Sequence, residues 1–160
     1  MEINFDNQEF IYHLRKFYAL LQYQYSIPKS NLKLINKPKT SFILSKNTNR
    51  LRFIKYQNNL IATFRSQDGN LVLTKEGAIL IKELLPPPKM RVAILDEISD
   101  FIKRGRNLFV KHITKFDPEL RPGSEVLVVN SNDELIAVGK IIMSKKDLIT
   151  FKSGVAVKIR

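Results

Sequence analysis

The segment KRGRNLFVKHI, residues 103 to 113, places four basic side chains around Gly105: Lys103, Arg104, Arg106 and Lys111. Long cationic side chains suit contacts with phosphate groups, and backbone N–H groups in a glycine turn can donate to an anion. The segment is therefore either an ordinary helix-to-strand turn with a solvated rim or one edge of a surface that holds phosphates.

The other side chains that could take part in a reaction do not form a catalytic set. His13 is interpreted as a buried or surface histidine rather than a general base, and His112, in a predicted strand, as a structural or nucleic-acid-facing residue. Asp96, Glu97 and Asp100 are explained by the start of a helix, where negative charge is favourable. Two isolated histidines make no zinc site, and the chain has neither cysteine nor a phosphate-binding glycine loop. We therefore expect no catalysis by this chain alone, no metal and no cofactor.

The charge of the chain is strongly positive and unevenly distributed. Lysine and arginine outnumber the acids 27 to 15, giving a net charge of +12 over 160 residues. Between Phe10 and Gln67 there are eleven basic residues and no acidic one. Such a field attracts polyanions and releases counterions when phosphates neutralise it. A lysine-rich proteome would also explain it, but we favour a nucleic-acid partner.

The cellular compartment is predicted from what the sequence lacks. There is no apolar run of the length that spans a membrane, and the acidic N-terminus, Met1 to Asp6, does not have the pattern of a signal peptide. The absence of cysteine fits a reducing compartment. We expect a cytoplasmic protein with no membrane partner and no small-molecule substrate.

The first half of the chain predicts helices on a small antiparallel sheet. Asp6 and Glu9 resemble a capping box before a helix with a buried stripe, and the helix stops at Ile27-Pro28. Residues 29–39 are predicted to be irregular. Strands are predicted over 41–45, 51–55, 60–64 and 71–73, followed by a helix that Thr74 caps and that extends to Leu85. The stripe of the first helix consists of Phe10, Leu14, Phe17 and Leu21.

The proline run Pro86 to Pro88 is the predicted boundary between a domain at 1–87 and a domain at 88–160. The sequence of the second domain predicts a helix that ends at Gly105, and it places Leu108 and Phe109 in the core. Its short strands indicate a partly closed barrel. The predicted elements are strands at 91–95, 108–113, 125–130, 135–143 and 155–159, a helix at 96–104 and a helical turn at 144–151.

Three segments in this order resemble the PUA domain of RNA-modifying enzymes: RGRNLFVKHI, DPELRPGSEVLVVNSNDELIAVGK and FKSGVAVKIR. Upstream, LLQYQY, LSKNTNRLRFI and LIATFRSQDGNLVLTKEGAILI are similar to the segment that precedes the PUA domain in archaeal tRNA-guanine transglycosylases and the related archaeosine synthases. The resemblance covers roughly residues 15 to 160. It implies an α+β fold, with an N-terminal antiparallel sheet and packed helices before a C-terminal PUA-type β pseudo-barrel. One departure is Tyr25-Ser26, where the family usually has an aromatic residue followed by glycine.

The resemblance also implies an RNA groove between the first PUA helix, the following strand and the last strand. In the family this groove receives the acceptor stem and the 3′ end of tRNA. For Phe101, stacking on a base and packing in the core both stay open. The RNA-binding residues implied by the resemblance are Phe101, Arg104, Gly105, Arg106, Asn107, Lys111, Gly154, Val155 and Lys158. Lys103 is added to this set as a further cation of the same turn.

The transglycosylases resembled use aspartates in a large barrel and a cysteine-ligated zinc, and the archaeosine synthases a cysteine-containing signature. This chain has no cysteine and is too short for that barrel. The resemblance therefore predicts a non-catalytic protein that binds tRNA or another structured RNA, as the tRNA-binding subunit of a split tRNA-guanine transglycosylase in archaeosine modification. The alternatives are a free-standing PUA adaptor in ribosome biogenesis or translation, and an enzyme that completes its site from a partner or cofactor.

Overall fold

The computed structural model describes residues 1–160 and divides the chain into two compact units, Met1–Leu84 and Leu85–Arg160. We call them the N-terminal domain and the C-terminal domain. The proline run from Pro86 to Pro88 lies directly after this division.

The N-terminal domain is a five-stranded antiparallel sheet with the strand order β1-β2-β3-β4-β5. Its core joins the stripe of α1 to the strand β2, since the rings of Phe10 and Phe17 lie 5.3 and 6.2 Å from that of Phe42. The elements are β1 (Glu2–Ile3), α1 (Phe10–Tyr25), α2 (Lys29–Leu32), β2 (Thr40–Leu44), β3 (Leu51–Tyr56), β4 (Asn59–Phe64), β5 (Leu71–Leu73) and α3 (Lys75–Leu84).

One prediction at the start of α1 needs correction, and the turn at its end is resolved. The predicted capping box is wrong, because Glu9 itself is the N-cap and its side chain makes no capping bond. The Asn7 side chain instead accepts from the Glu9 N–H at 2.8 Å, so a local turn leads into the helix. At the other end, Ser26 adopts a left-handed backbone with φ 54°, and its N–H donates to the Gln22 carbonyl at 3.1 Å. The serine thus makes the turn for which the family usually has glycine.

The connection after α1 is more regular than predicted. Residues 29–39, predicted to be irregular, contain α2 and a 3-10 turn at Lys37–Lys39. The sequence also gave no signal for β1, which has only two residues and pairs with β2. The predicted cap at Thr74 is confirmed, because its hydroxyl accepts from the Gly77 N–H at 3.1 Å.

The C-terminal domain is a six-stranded mixed sheet with the order β7-β11-β10-β9-β6-β8. β6 and β9 are parallel, which requires the long crossover between them, and the other pairs are antiparallel. The elements are β6 (Arg91–Ile94), α4 (Ser99–Lys103), β7 (Leu108–Phe109), β8 (Ile113–Phe116), β9 (Glu125–Val129), β10 (Leu135–Ile141), α5 (Lys145–Thr150) and β11 (Val155–Ile159).

Two predicted elements of this domain are interrupted in the structure. The helix predicted at 96–104 is a 3-10 turn, Asp96–Ile98, followed by α4. The strand predicted at 108–113 is broken by a 3-10 turn, Val110–His112, so His112 does not lie in a strand. The break occurs where the chain stops pairing with β11 and starts pairing with β6. The Val110 N–H donates to the Gly154 carbonyl at 3.0 Å, just before β11, and β8 then pairs with β6.

The α+β class, with an antiparallel sheet and helices followed by a β domain, is confirmed. None of the helices combines the length and apolar character needed to cross a membrane.

Candidate nucleic-acid interface

The C-terminal end of α4 forms a defined turn that displays the basic side chains. Gly105 has φ 82°, its N–H donates to Ile102 at 2.9 Å, and the Arg106 N–H donates to Phe101 at 3.2 Å. These two bonds are the pair that defines a Schellman motif, in which the left-handed residue that follows the helix is usually glycine. The prediction that Gly105 ends the helix is confirmed. We call residues Phe101–Lys111 the basic turn.

The cations of the basic turn are exposed and mostly without acidic partners. Lys103, Arg104, Arg106 and Lys111 are all exposed. Only Lys103 has an ion pair, with Asp100 one helical turn earlier at 3.9 Å, and both of its members are largely solvated. Such a pair contributes little to stability, so all four cations can turn to an added anion without breaking a structural contact.

The basic turn is attached to the last strand of the sheet. The Asn107 side chain accepts a hydrogen bond from the Ile159 N–H at 3.2 Å, and β7 pairs with β11 through Phe109 opposite Val155. The structure therefore brings Asn107 together with the strand that carries Val155 and Lys158, as predicted from separate motifs. Lys158 is exposed and lies opposite Lys140 of β10.

Gly154 precedes β11 in a conformation that other residues rarely adopt. Its φ is 115°, and a Cβ atom at this position would lie 2.8 Å from the terminal methyl of Met143. Its carbonyl accepts from the Val110 N–H, so this glycine connects β11 to the 3-10 turn that follows β7.

Two aromatic rings of this region face solvent. Phe101 is 60% exposed, which excludes the core alternative for it. Phe109 is 43% exposed, so its predicted core position is wrong, whereas Leu108 is fully buried as predicted. Sequence reasoning missed Phe109 although the alternation of strand faces allows only one of the two neighbours to point inward. Exposed rings are the groups on which unpaired bases stack.

The titratable groups outside the basic turn have structural explanations. His13 is buried beside Phe42 at 5.8 Å between ring centres, and burial lowers its pKa. Asp96 accepts hydrogen bonds from the Ser131 hydroxyl and N–H at 2.6 and 2.9 Å, and these bonds lower the pKa of the carboxyl. Nowhere do three histidine, aspartate or glutamate side chains gather as metal ligands would. His112 is half-buried in its 3-10 turn.

Comparison with protein families assigns both domains. Residues 15–88 match the family described as "Patch-forming domain C2 of tRNA-guanine transglycosylase", and residues 90–160 match the PUA domain. These are non-catalytic domains of such enzymes. A solved hypothetical protein from Pyrococcus horikoshii shares the fold over the full chain at a TM-score of 0.69 and 16% identity, covering 93% of that chain. A PUA domain from Aeropyrum pernix does so at 0.65 and 12%, covering 84% of that chain.

Sequence relatives agree with the family matches. The chain is 43% identical over 123 residues to a tRNA-guanine(15) transglycosylase of Thermococcus onnurineus, covering 76% of this chain and 21% of the relative. It is 42% identical over 142 residues to the corresponding enzyme of Methanocaldococcus jannaschii, covering 88% and 21%. The chain thus spans about a fifth of the length of these relatives. It consists of a C2 domain and a PUA domain homologous to the C-terminal part of the archaeal tRNA-guanine(15) transglycosylases.

Proposed function

We propose that this protein binds tRNA and that its PUA domain receives the acceptor stem and the 3′ end at the basic turn. The observation that carries the proposal is the Schellman-capped end of α4, which displays the exposed cations Lys103, Arg104 and Arg106 on a fixed backbone near the exposed ring of Phe101. The fourth exposed cation, Lys111, lies in the 3-10 turn that follows β7. Cations on a fixed backbone suit the phosphates of a duplex end, and an exposed ring suits a terminal base.

The residues proposed to contact RNA are those of the basic turn and the neighbouring last strand. Arg104, Arg106 and Lys111 supply charge to phosphates, and Lys103 joins them. Gly105 and Asn107 position the turn, and Phe101 stacks on a terminal base. Val155 and Lys158 lie on the adjoining strand β11, and Gly154 directly precedes it. The tRNA part of the proposal is supported by relatives whose names identify tRNA as their substrate.

We further propose that the protein does no chemistry alone and serves as the tRNA-binding subunit of a split tRNA-guanine transglycosylase, with the catalytic domain on a separate polypeptide. The support is that the matched domains are the C2 and PUA domains. A pull-down from native cells is expected to recover a transglycosylase chain. Recovery of ribosomal subunits without that chain would favour the adaptor role and contradict the split-enzyme role.

The binding proposal is tested by competition at one salt concentration, because phosphate contacts alone would not distinguish nucleic acids. We expect an unmodified tRNA transcript to bind more tightly than a random DNA duplex of equal charge. Equal affinities would contradict the tRNA assignment and leave only nonspecific electrostatic binding. Incubation of the chain with tRNA is expected to leave the RNA mass unchanged, and a mass change would contradict the non-catalytic role.

A further inference from the structure

The N-terminal domain contains an open pocket of about 650 Å³ with a mixed polar and apolar lining, which the function proposed above does not use. We call it the amide pocket. Its lining includes Asn4, Phe5, Asp6, Lys39, Gln57 and Asn58. The volume is similar to that of small-molecule pockets, roughly 300 to 1,000 Å³, but the pocket is open to solvent on one side, so it suits a group that stays attached to a larger molecule.

The topology of the sheet explains why these residues meet. β2 lies between β1 and β3, so the chain that leaves β1 and the turn that leaves β3 flank the start of β2. The segment at residues 4–6 follows β1 directly, and the Gln57 N–H donates to the Lys39 carbonyl at 2.8 Å. This segment precedes residue 15, where the match to the C2 domain begins, whereas Lys39, Gln57 and Asn58 lie within that match.

One wall of the amide pocket is an oriented aromatic ring. Phe5 is 47% exposed, and its ring stands edge-to-face against the buried Phe10 with centroids 5.5 Å apart. Because Phe10 is held in the core, Phe5 has a fixed orientation and an open surface. A ring in this state is a stacking platform for an unpaired base.

The lining also carries hydrogen-bonding groups that no protein group uses. Gln57 and Asn58 form the β3–β4 turn with left-handed backbones at φ 51° and 67°, and both are exposed. Their side-chain amides, like that of Asn4, make no hydrogen bond within the protein. Each amide offers donors and an acceptor, the combination that reads the edge of a base.

Charge around the pocket fits an RNA strand. Lys39 lines it, and Lys37 lies in the same 3-10 turn; neither forms an ion pair. The one acid in the lining, Asp6, can accept from base N–H groups but would repel a phosphate. The pocket thus combines a ring, three free amides, an acceptor and cations at its side.

We infer that the amide pocket binds one unpaired nucleotide of the RNA, with the base on Phe5, its edge on the free amides and the adjoining phosphate at Lys39. The inference rests on the proposed RNA-binding function and adds a second contact, in the N-terminal domain, to the one at the basic turn. A single base–aromatic stack gives roughly tenfold in affinity, near the lower end of the range for such contacts.

The test uses the full-length protein and a tRNA transcript that contains 4-thiouridine. Phe5→Leu keeps apolar volume against Phe10 but removes the aromatic face, and Tyr23→Leu is its control, since Tyr23 is 85% exposed on α1. Asn58→Asp keeps a residue that tolerates the left-handed turn but replaces donors with a negative charge. Asn49→Asp is the matched control, because Asn49 is exposed and left-handed, with φ 51°, in the turn between β2 and β3.

We expect light-induced crosslinks in the peptide that contains Phe5, their loss in Phe5→Leu, and weaker binding by roughly tenfold for both pocket variants but not for the controls. If Phe5→Leu does not fold, Asn58→Asp carries the test, because Asn58 is an exposed turn residue.

Pocket variants that bind the transcript as tightly as their controls, while the wild-type protein still prefers tRNA over DNA, would overturn the inference and leave the proposed function intact. Failure of the wild-type protein to prefer tRNA would instead contradict the proposed function. Binding of free nucleoside monophosphate that depends on Phe5, without any effect on tRNA affinity, would make the cavity a small-molecule site and also overturn the inference.

Discussion

The two domains carry similar positive charge but display it differently. The N-terminal domain has 13 basic and 6 acidic residues, and the C-terminal domain has 14 and 9. In the N-terminal domain the basic residues are spread over helices, turns and strands. In the C-terminal domain, Lys103, Arg104 and Arg106 lie on one turn whose backbone is fixed by two hydrogen bonds, and the next residue, Asn107, is bonded to the last strand. Net charge therefore favours a polyanionic partner, whereas backbone geometry decides which cations are held together on one surface.

One glycine in each domain shows a similar contrast, since Gly77 is closely packed against another element and Gly105 lies in an open turn. At Gly77 a Cβ atom would lie 1.8 Å from the Ile61 carbonyl oxygen, since α3 approaches β4 directly there. At Gly105 no atom lies within 4 Å of an added Cβ, and only the positive φ is unfavourable.

Gly77→Ala is expected to have the largest effect, lowering the free energy of unfolding of the N-terminal domain by about 3 kcal/mol or more, the upper end of overpacking costs. Gly105→Ala should cost the C-terminal domain only about 1–2 kcal/mol, the penalty for a left-handed residue with a side chain. Tyrosine fluorescence during urea unfolding reports the N-terminal domain alone, because all five tyrosines lie before residue 57 and there is no tryptophan. A change of less than about 1 kcal/mol in Gly77→Ala would contradict the close packing of α3 on β4.

A smaller effect is expected from pH, again in the N-terminal domain. Burial lowers the pKa of His13, Glu9 opposes this shift, and Lys16 adds to it. As the pH is lowered, His13 therefore becomes protonated at a higher pH in the unfolded chain than in the folded protein. Above the ordinary histidine pKa of about 6.5 both states are neutral and His13 has no effect on stability. As the pH is lowered below about 6.5, the free energy of unfolding should decrease, and the decrease should end once the pH is below the lowered pKa of His13 in the folded state.

The same tyrosine signal measures this dependence at pH 7.5 and pH 5.5. His13→Gln should reduce the difference between the two values, and the control His112→Gln, in the other domain, should leave it unchanged. An identical pH dependence in wild type and His13→Gln would show that burial of His13 is not the cause.

The elements that were predictable from sequence are those with a strong periodic pattern. The stripe of α1, the strands β2 to β5 and the glycine end of α4 all have local signals that the structure follows. The failures occur where tertiary pairing decides. The break at Val110 depends on Gly154, far along the chain, and the two-residue β1 exists only because β2 is beside it.

The candidate site was predictable in composition but not in arrangement. Its residues were identified from motifs that resemble the PUA domain, and the exposure of Phe101 and Phe109 became visible only in the structure. Asn107 illustrates the limit, because its hydrogen bond to the Ile159 N–H spans the domain and no local pattern indicates it. The amide pocket had no sequence signal, since its walls come from three separate segments.

The most direct test of the account compares two pairs of cations in the C-terminal domain. Arg104→Ala with Arg106→Ala removes charge from the basic turn, and Lys115→Ala with Arg121→Ala removes equal charge from exposed positions outside it. The measurement is the slope of the logarithm of the tRNA association constant against the logarithm of salt concentration. We expect the first pair to weaken binding and to reduce the slope by roughly 2, about one per phosphate contact, while the second pair leaves both nearly unchanged. Equal effects of the two pairs would contradict the claim that the basic turn, rather than the overall charge, holds the RNA.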